Sequence, residues 1–313
     1  MSRPPKLALP MREGVSASAL ACPPGDWPLL LDFLAHRLPL VSREDWAGRM
    51  AGGEVLGPQG QVLPEGTPYR GGQRIYYYRR VARETPVPFE ELLVHVDDQL
   101  VVADKPHFLS VTPKGRHVQQ TLLTRLKRRL GLQDLTPIHR LDRETAGLTV
   151  FCVQPAHRDA YQRLFRERSV DKVYEAVAAA PPSGLALPQR YRSRLVEREG
   201  EAFMQMAEAP GEPNAETDIR CLRLLGPGRA LYELRPLTGQ KHQLRAQMCA
   251  LGLPLAGDRI YPLLQPPRED FDQPLQLLAR SIAFVDPVSG APRAFRSERQ
   301  LALVEAAGGA PTA

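Results

Sequence analysis

The sequence has little of what metal, redox and membrane proteins require. It contains four cysteines. None is in a C-x-x-C pair, and no His/Cys cluster has the spacing of a zinc site. No run approaches the roughly 18 apolar residues of a transmembrane helix, and the N-terminus lacks the apolar core of a signal peptide. We therefore expect a soluble, cytoplasmic protein whose cysteines are reduced and mostly buried.

Two further absences narrow the class of protein. The sequence has no glycine-rich phosphate loop and no internal repeat. What it does have is an excess of basic residues, 41 Lys and Arg against 35 Asp and Glu, which gives a formal net charge of +6. Basic charge suits a polyanionic partner, because neutralising phosphates drives nucleic-acid affinity. Charge alone leaves a merely basic soluble protein equally open.

The chain is long enough for two domains. Residues 1–27 are rich in Pro, Ala and Ser, and we interpret them as an irregular extension. Residues 28–83 have the composition of a small folded module, and residues 84–90, with two prolines, that of a linker. A large domain is predicted over residues 91–305, followed by a flexible tail over residues 306–313.

The small module has a helix-helix-strand pattern. Apolar spacing predicts a helix from Leu30 to Leu38, and Ser42 can cap a second helix that runs to Met50. Short strands follow at 54–56, 61–63 and 74–78. This order resembles the S-four-type RNA-binding module, in which Arg43 and Arg49 would face phosphate. A small folded appendage without RNA-binding activity is the alternative.

The large domain is predicted to be α+β with a mixed sheet, because its strands are joined by both hairpins and helices. The helix near 118–130 carries basic residues without an acidic one, which indicates either a solvated face or a phosphate contact. Helices are predicted at 118–130, 156–168 and 240–251, and strands at 92–96, 100–103, 148–153, 170–178, 218–225 and 230–236.

A charged loop precedes the strand at 148–153. It places one carboxylate, Asp142, among His139, Arg140 and Arg143. A loop at the end of a strand exposes side chains on a rigid support, which suits catalysis. The surrounding positive charge favours an ionised carboxylate, as a nucleophile or an electrostatic stabiliser needs. On these features alone, a structural ion-pair network remains the commoner explanation.

The loop resembles a known signature. His139–Gly147 is similar to the active-site motif of the RluA family of RNA pseudouridine synthases, His-Arg-Leu-Asp-Arg-x-Thr-Ser-Gly, with Ala146 where serine is usual. The resemblance spans about residues 91–297. Further segments match motifs of that family in order and spacing: Leu100–Pro106, Lys172–Tyr174, Arg235–Arg245 and Pro254–Tyr261.

The resemblance implies a pseudouridine synthase fold, with a central, largely antiparallel sheet flanked by helices. It also implies an isomerase that detaches uracil from ribose and rejoins it through carbon 5, without a metal or other cofactor. Asp142 would attack carbon 1′ or take a proton from carbon 2′. Tyr174 would pack on the base and take the proton from carbon 5, and Arg245 would pair with Asp142. Without the resemblance to the family, the sequence would favour a core aromatic residue for Tyr174 and a surface arginine for Arg245.

The remaining implied roles concern RNA contact. Leu244 would line the uracil pocket, and Arg140 would fill the space that a flipped nucleotide leaves in the RNA. The other candidates for RNA contact are His139, Lys172 and Lys105. For the two lysines a structural role is the alternative, and lone lysines are more often solvated than functional.

Several residues depart from the family pattern. Besides Ala146, they are Gln240, Gln247, Leu278 and Asp286, which replace Arg, His, His and His. We expect these residues to lie mostly around the pocket, where they would alter substrate details more than activity.

The resulting hypothesis is a monomeric pseudouridine synthase that acts on structured RNA, either ribosomal or transfer RNA. One alternative is a non-catalytic RNA-binding protein that retains the fold. A glycosidase is a second alternative, but it would normally require another carboxylate with a water. Glu144 and Asp171 are the nearby candidates in sequence, and the family pattern gives neither a role.

Overall fold

The computed structural model describes residues 7, 9–79, 84–115, 117–198, 205–226, 228–266 and 270–308. The chain divides into two units, each of which has its own hydrophobic core. Unit one comprises Met1–Glu84, Lys114–Gln119 and Thr124–Gln133, and unit two comprises Thr85–Pro113, Gln120–Leu123 and Asp134–Ala313. The predicted linker at 84–90 includes the boundary between Glu84 and Thr85.

Unit one packs short helices on a small antiparallel sheet, whose strand order is β1-β3-β2. Its core is formed by Leu30 and Leu34 from the first helix, Trp46 and Met50 from the second, and Ile75 from a strand. The elements are β1 (Ser18–Ala21), α1 (Leu30–Arg37), α2 (Arg43–Ala51), β2 (Val55–Leu56), β3 (Arg74–Tyr77) and α3 (Leu122–Leu130), of which residues 124–130 belong to this unit.

The predicted cap of α2 is confirmed, because Ser42 Oγ accepts a hydrogen bond of 3.0 Å from Asp45 N. The prediction of an irregular extension over residues 1–27 is wrong at Ser18–Ala21, which pairs with β3. That segment, Ser-Ala-Leu-Ala, lacks the β-branched residues that mark a strand, so only the partner strand defines it. The predicted strand at 61–63 is reduced to an isolated bridge between Leu56 and Val62.

Unit two is built on an 11-stranded mixed sheet, which confirms the predicted α+β class. The main path is β10-β9-β11-β12-β8-β13-β7-β5-β4; in addition β14 pairs with β13, and β6 pairs with β7. The strands are β4 (Leu92–Val96), β5 (Leu100–Lys105), β6 (Thr136–Pro137), β7 (Ala146–Cys152), β8 (Asp171–Ala179), β9 (Gln189–Glu197), β10 (Met206–Ala209), β11 (Ala215–Leu224), β12 (Arg229–Pro236), β13 (Leu277–Val285) and β14 (Pro292–Arg296).

The helices of unit two flank this sheet. They are α4 (Arg158–Arg166), preceded by a 3-10 turn at Pro155–His157, α5 (Gln243–Ala250) and α6 (Ala302–Gly308). Tyr161 of α4 packs in one cluster with residues of β5 and β7. Leu244 and Met248 of α5 pack in another with residues of β8, β11 and β12. Because α6 extends to Gly308, residues 306–308 of the predicted flexible tail are helical. Residues 309–313 lie outside the described residues. No helix in the described ranges is long and apolar enough to cross a membrane.

One row of the sheet brings distant parts of the chain together. Gly147 of β7 pairs in parallel with Ala279 of β13, and Ala279 pairs on its other side with Tyr174 of β8. Gly147 has φ +110°, and a Cβ atom there would lie 2.3 Å from the Ala279 carbonyl oxygen. Glycine is thus required where the loop that carries Asp142 enters the sheet.

We expect Gly147→Ala to lower the free energy of unfolding by about 3 kcal/mol or more, because the new methyl group overlaps backbone that cannot move aside. Gly184→Ala is the matched control: it also has a positive φ, +93°, but has open space around its Cβ position. The control should lose only about 1 kcal/mol, the cost of the backbone conformation. Denaturant unfolding of both variants measures the difference, and equal losses would contradict the steric explanation.

Candidate active site

The loop that carries Asp142 is held by its own backbone carbonyls. The buried Lys105 ammonium donates to Arg143 O at 3.1 Å, and His107 Nδ1 donates to Glu144 O at 2.7 Å. Within the loop, Thr145 N donates to Asp142 O at 3.2 Å. These bonds fix the backbone at Asp142 and directly after it, so its side chain is presented from a rigid support.

Asp142 is the exposed end of a buried charge chain. Arg245 Nη1 donates to Asp142 Oδ2 at 3.2 Å, while Nε and Nη2 of the same guanidinium donate to Asp258 Oδ2 and Oδ1 at 2.8 and 2.7 Å. The exposed fractions of the side chains are 32% for Asp142, 2% for Arg245 and 0% for Asp258. One buried cation therefore aims an accessible carboxylate while a buried carboxylate aims the cation.

Backbone groups of the loop after α5 hold Asp258 in place. Asp258 Oδ1 also accepts hydrogen bonds from the backbone N–H groups of Ile260 and Tyr261, at 2.8 and 3.1 Å. Burial alone lowers the pKa of Arg245, but the hydrogen bonds and charges of Asp258 and Asp142 outweigh it and raise that pKa above its usual value. The guanidinium is therefore a permanent positive charge beside Asp142.

A histidine and a tyrosine complete the surroundings of Asp142. His242 Nε2 lies 3.8 Å from Asp142 Oδ2. On the other side of its ring, Nδ1 lies 3.3 Å from the hydroxyl of Tyr261. The ring of Tyr261 also lies under the Arg245 guanidinium, 5.5 Å from its carbon.

Tyr174 lies on β8 and packs against the cluster that contains Leu244. Burial raises the pKa of Tyr174, and the negative charge of Asp142 raises it further. Both effects hold the side chain as a neutral phenol. The site thus combines an aimed carboxylate, a permanent cation, a neutral phenol and an apolar wall.

Comparison with known proteins agrees with this geometry. Residues 99–250 match the family model described as RNA pseudouridylate synthase. An uncharacterized RNA pseudouridine synthase of Synechocystis sp. is 30% identical over 236 residues, which cover 74% of this chain and 79% of that protein. The chain belongs to the RluA family of RNA pseudouridine synthases. The family is one of isomerases, as the sequence predicts.

Two further relatives support the assignment. The dual-specificity RNA pseudouridine synthase RluA of Escherichia coli is 29% identical over 211 residues, which cover 66% of this chain and 92% of that protein. Among solved structures, human RNA pseudouridylate synthase domain containing 4 superposes with a TM-score of 0.54 and 26% identity, covering 69% of this chain and 90% of that one. The pseudouridine synthase fold predicted for unit two is thereby confirmed.

The prediction that Lys105 contacts RNA is wrong. Its side chain is fully buried, and the ammonium donates to three carbonyls, those of Pro106, Leu109 and Arg143. Burial lowers the pKa of Lys105 to about 7, against the opposing charges of Glu144 and Asp142. Lys105 therefore supports the loop that carries Asp142.

His139 and Lys172 also have partners within the protein. His139 Nε2 accepts from Val150 N at 3.1 Å, and its ring stacks on Phe165. Burial lowers the pKa of His139 to about 3, so the ring is neutral. Lys172 Nζ donates to Thr238 O at 3.2 Å, and burial lowers its pKa. These contacts favour structural roles over the RNA contacts that the sequence predicts.

Two predicted RNA contacts lie at the surface. Arg140 is exposed, and within the described ranges no hydrogen bond or ion pair engages its guanidinium. In unit one, Arg43 opens α2 and its Nε donates to Asp32 Oδ1 at 3.1 Å, so its charge is partly balanced. Arg49 of the same helix lies over the ring of Trp46. RNA binding by unit one remains a prediction.

The departures from the family pattern have partners within the protein, and their placement around the pocket stays a prediction. Gln247 is buried between Thr217 and Ser193, with hydrogen bonds of 2.6 and 3.1 Å. Asp286 accepts from Tyr161 and Arg293, on the side of the sheet's other core cluster. Gln240 donates to the Asn214 carbonyl.

The other two departures are direct neighbours. Ala146 pairs with Leu278 in the parallel register of β7 and β13, and both side chains are buried in one apolar cluster. The family pattern has serine at position 146 and histidine at position 278. In this chain both positions carry apolar residues. The pair therefore packs without leaving an unsatisfied polar group in the core.

Sequence reasoning named no role for Asp258, His242, Tyr261 or His107. The first three lie inside segments that match family motifs, so a signal was present, but spacing alone does not show that they meet Arg245 and Asp142. His107 follows the Lys-Pro motif and has no motif signal. Within the described residues, no group of three His, Cys, Asp or Glu side chains is placed to hold a metal ion.

Proposed function

We propose that the protein isomerises specific uridines of structured RNA to pseudouridine, with Asp142 as the essential carboxylate. The observation that carries the proposal is the gradient of exposure along the Asp142–Arg245–Asp258 chain, from 32% to 2% and 0%. A merely structural ion-pair network would have no need to present one carboxylate at the surface on a permanently charged, buried guanidinium. Asp142 Oδ2 is engaged by Arg245, which leaves Oδ1 toward substrate.

The reaction breaks the bond between N1 of uracil and carbon 1′, and forms one between carbon 5 and carbon 1′. A proton leaves carbon 5 and N1 gains one, so no oxidant or outside nucleophile is consumed. Asp142 acts at the sugar, either by attack on carbon 1′ or by removal of the carbon 2′ proton. Both routes need the ionised form that Arg245 favours.

Tyr174 and Leu244 hold the base. Because Tyr174 is a neutral phenol before substrate binds, it serves first as an aromatic surface against the uracil. To take the proton from carbon 5 it has to give up its own proton. We assign that proton to the Asp142 carboxylate, which is free again once carbon 5 has joined carbon 1′, and from there to N1.

Ribosomal RNA and transfer RNA are both suitable substrates for a basic protein of this family. The Escherichia coli relative is named a dual-specificity RNA pseudouridine synthase. A non-catalytic RNA-binding protein is the competing function, and the exposed carboxylate argues against it because RNA phosphates repel that charge.

The test is incubation of purified protein with total cellular RNA from a strain that lacks its gene, followed by site-resolved pseudouridine mapping. New pseudouridine at one or a few positions is expected. The mapped positions then identify the RNA, and the same positions should be empty in the strain without the gene. Protein that binds RNA but forms no pseudouridine in any RNA would establish the competing function instead.

Arg140→Ala should slow turnover on folded RNA by about 10-fold or more but leave a short unpaired substrate nearly unaffected, because only a duplex has a gap to fill after the nucleotide flips. Single-turnover rates on both substrates measure the ratio. Arg229→Ala, which removes an exposed arginine from β12, controls for the loss of one positive charge. Equal losses on the two substrates would count against the gap-filling role.

A further inference from the structure

The surroundings of Asp142 contain a histidine to which the proposed reaction gives no role. His242 Nε2 lies 3.8 Å from Asp142 Oδ2, the same oxygen that Arg245 binds. Its side chain is only 8% exposed. A buried imidazole that faces the essential carboxylate is close enough for a hydrogen bond after a shift of less than 1 Å, and catalytic hydrogen bonds are often long before substrate binds.

Tyr261 determines which nitrogen of His242 carries the proton. The Tyr261 hydroxyl oxygen accepts a hydrogen bond of 2.7 Å from Met206 N. Its own proton therefore points elsewhere, and His242 Nδ1, at 3.3 Å, is the acceptor within reach. If Nδ1 accepts, the proton of a neutral imidazole is on Nε2, directed at Asp142.

The backbone of His242 supports a functional placement. Its φ of +52° and ψ of +19° lie in the left-handed region, which a residue with a side chain rarely adopts. The carbonyl of His242 accepts from Ala246 N at 2.9 Å, so α5 holds this conformation from its first turn. Strain of this kind persists where the fold needs a side chain aimed in one direction.

We propose that His242 is a positioning residue for Asp142: its neutral ring, held as the Nε2–H tautomer by Tyr261, closes onto Oδ2 when RNA binds. With Arg245 and His242 both on Oδ2, the carboxylate cannot rotate and Oδ1 faces the sugar. The proposal rests on the proposed function and adds a residue to its site.

The neutral form matters for this role. Burial lowers the pKa of His242, and the charges of Arg245 and Lys241 lower it further, against the opposing charges of Asp142 and Asp258. The ring is therefore uncharged at neutral pH. A neutral donor orients the carboxylate without offering it a proton, whereas an imidazolium would compete to neutralise the charge that the reaction uses.

The tautomer is measured directly by nitrogen NMR on protein with 15N-labelled histidine, with His242→Asn used to assign the signal. We expect the Nε2–H tautomer in the wild-type protein and a mixture of tautomers in Tyr261→Phe. A wild-type signal from the Nδ1–H tautomer would overturn the proposal. This readout needs no RNA, so it is independent of the proposed function.

Kinetics then test the role. The amide nitrogen of His242→Gln can reach the position of Nε2, while that of His242→Asn matches Nδ1 and cannot reach Asp142. Asparagine also tolerates the left-handed backbone, so this variant should remain folded. We expect kcat to fall about 10-fold in His242→Asn with KM within about two-fold, since the loss of one hydrogen bond to a charged group changes a rate by about 10- to 100-fold. Part of kcat should return in His242→Gln.

The outcomes are distinct. If the wild-type protein has no activity on any RNA, the proposed function is wrong, whichever tautomer His242 adopts. Active wild-type protein with an equally fast His242→Asn variant overturns the role of His242 and leaves the proposed function standing. Melting temperatures of each variant are measured alongside. If His242→Gln does not fold, the tautomer and the asparagine variant decide.

Discussion

Asp142→Asn should reduce pseudouridine formation by at least about 10³-fold, the scale at which removal of a group that forms or breaks bonds acts. The amide has nearly the shape of the carboxylate but no charge, so it can neither attack carbon 1′ nor remove the carbon 2′ proton. Stability should change little, because Arg245 keeps both hydrogen bonds to Asp258 and position 142 is partly exposed.

Single-turnover rates on the mapped RNA, with melting temperatures as a check of folding, measure this effect. The matched control is Glu144→Gln, which neutralises the neighbouring carboxylate of the same loop, one that pairs with Arg143 at 2.9 Å. The control should keep most of its activity. A Glu144→Gln variant as inactive as Asp142→Asn would show that the loop responds to charge in general and would count against a specific role.

Arg245→Ala should cost about 3–5 kcal/mol of unfolding free energy, because it leaves the fully buried Asp258 carboxylate without its cation. Activity should also fall toward the level of Asp142→Asn, since the carboxylate then loses its permanent positive partner. Arg245→Lys keeps the charge but loses the two-pronged hydrogen bond to Asp258, and an intermediate loss is expected. Denaturant unfolding and single-turnover rates measure the two effects separately.

The structure contains a second arginine–aspartate ion pair with the same hydrogen-bond geometry, which serves as a control for the effect of burial. Arg190 and Asp218 form the same two-pronged contact, at 2.7 and 2.9 Å, but both side chains are largely exposed. Exposed ion pairs contribute little to stability because water and salt screen them. Arg190→Ala should therefore hardly change unfolding. Equal losses in the two variants would contradict the idea that burial makes the Arg245 pair costly to break.

The sequence predicted the catalytic elements better than the rest of the fold. The strand after Gly147 and the helix around Arg245 have regular apolar spacing and lie within long motifs. The strands β9, β10, β13 and β14 were not predicted, for reasons visible in their residues. In β9, for example, Gln-Arg-Tyr-Arg-Ser-Arg alternates exposed arginines with small or half-buried residues, so the alternation of apolar residues that marks a strand is weak.

Lys105 illustrates the limit of sequence reasoning for single residues. A lysine after a buried strand looks like a solvated or phosphate-binding group, because lysine is almost never buried without partners. Here the chain turns so that the carbonyls of Pro106, Leu109 and Arg143 meet the ammonium. Two of these carbonyls are local, but the third belongs to Arg143, which lies 38 residues along the chain. The link between Ala146 and Leu278 was hidden for the same reason, since only strand register joins them.

The most direct test of the site uses RNA that carries tritium at carbon 5 of uridine. Pseudouridine formation replaces the bond from carbon 5 to hydrogen by one from carbon 5 to carbon 1′, so tritium must pass to water. Wild-type protein should release tritium in step with pseudouridine at the mapped position, and Asp142→Asn should release none above background. No release by wild-type protein from any RNA, or equal release by both proteins, would contradict the assignment of Asp142 as the group that starts this chemistry.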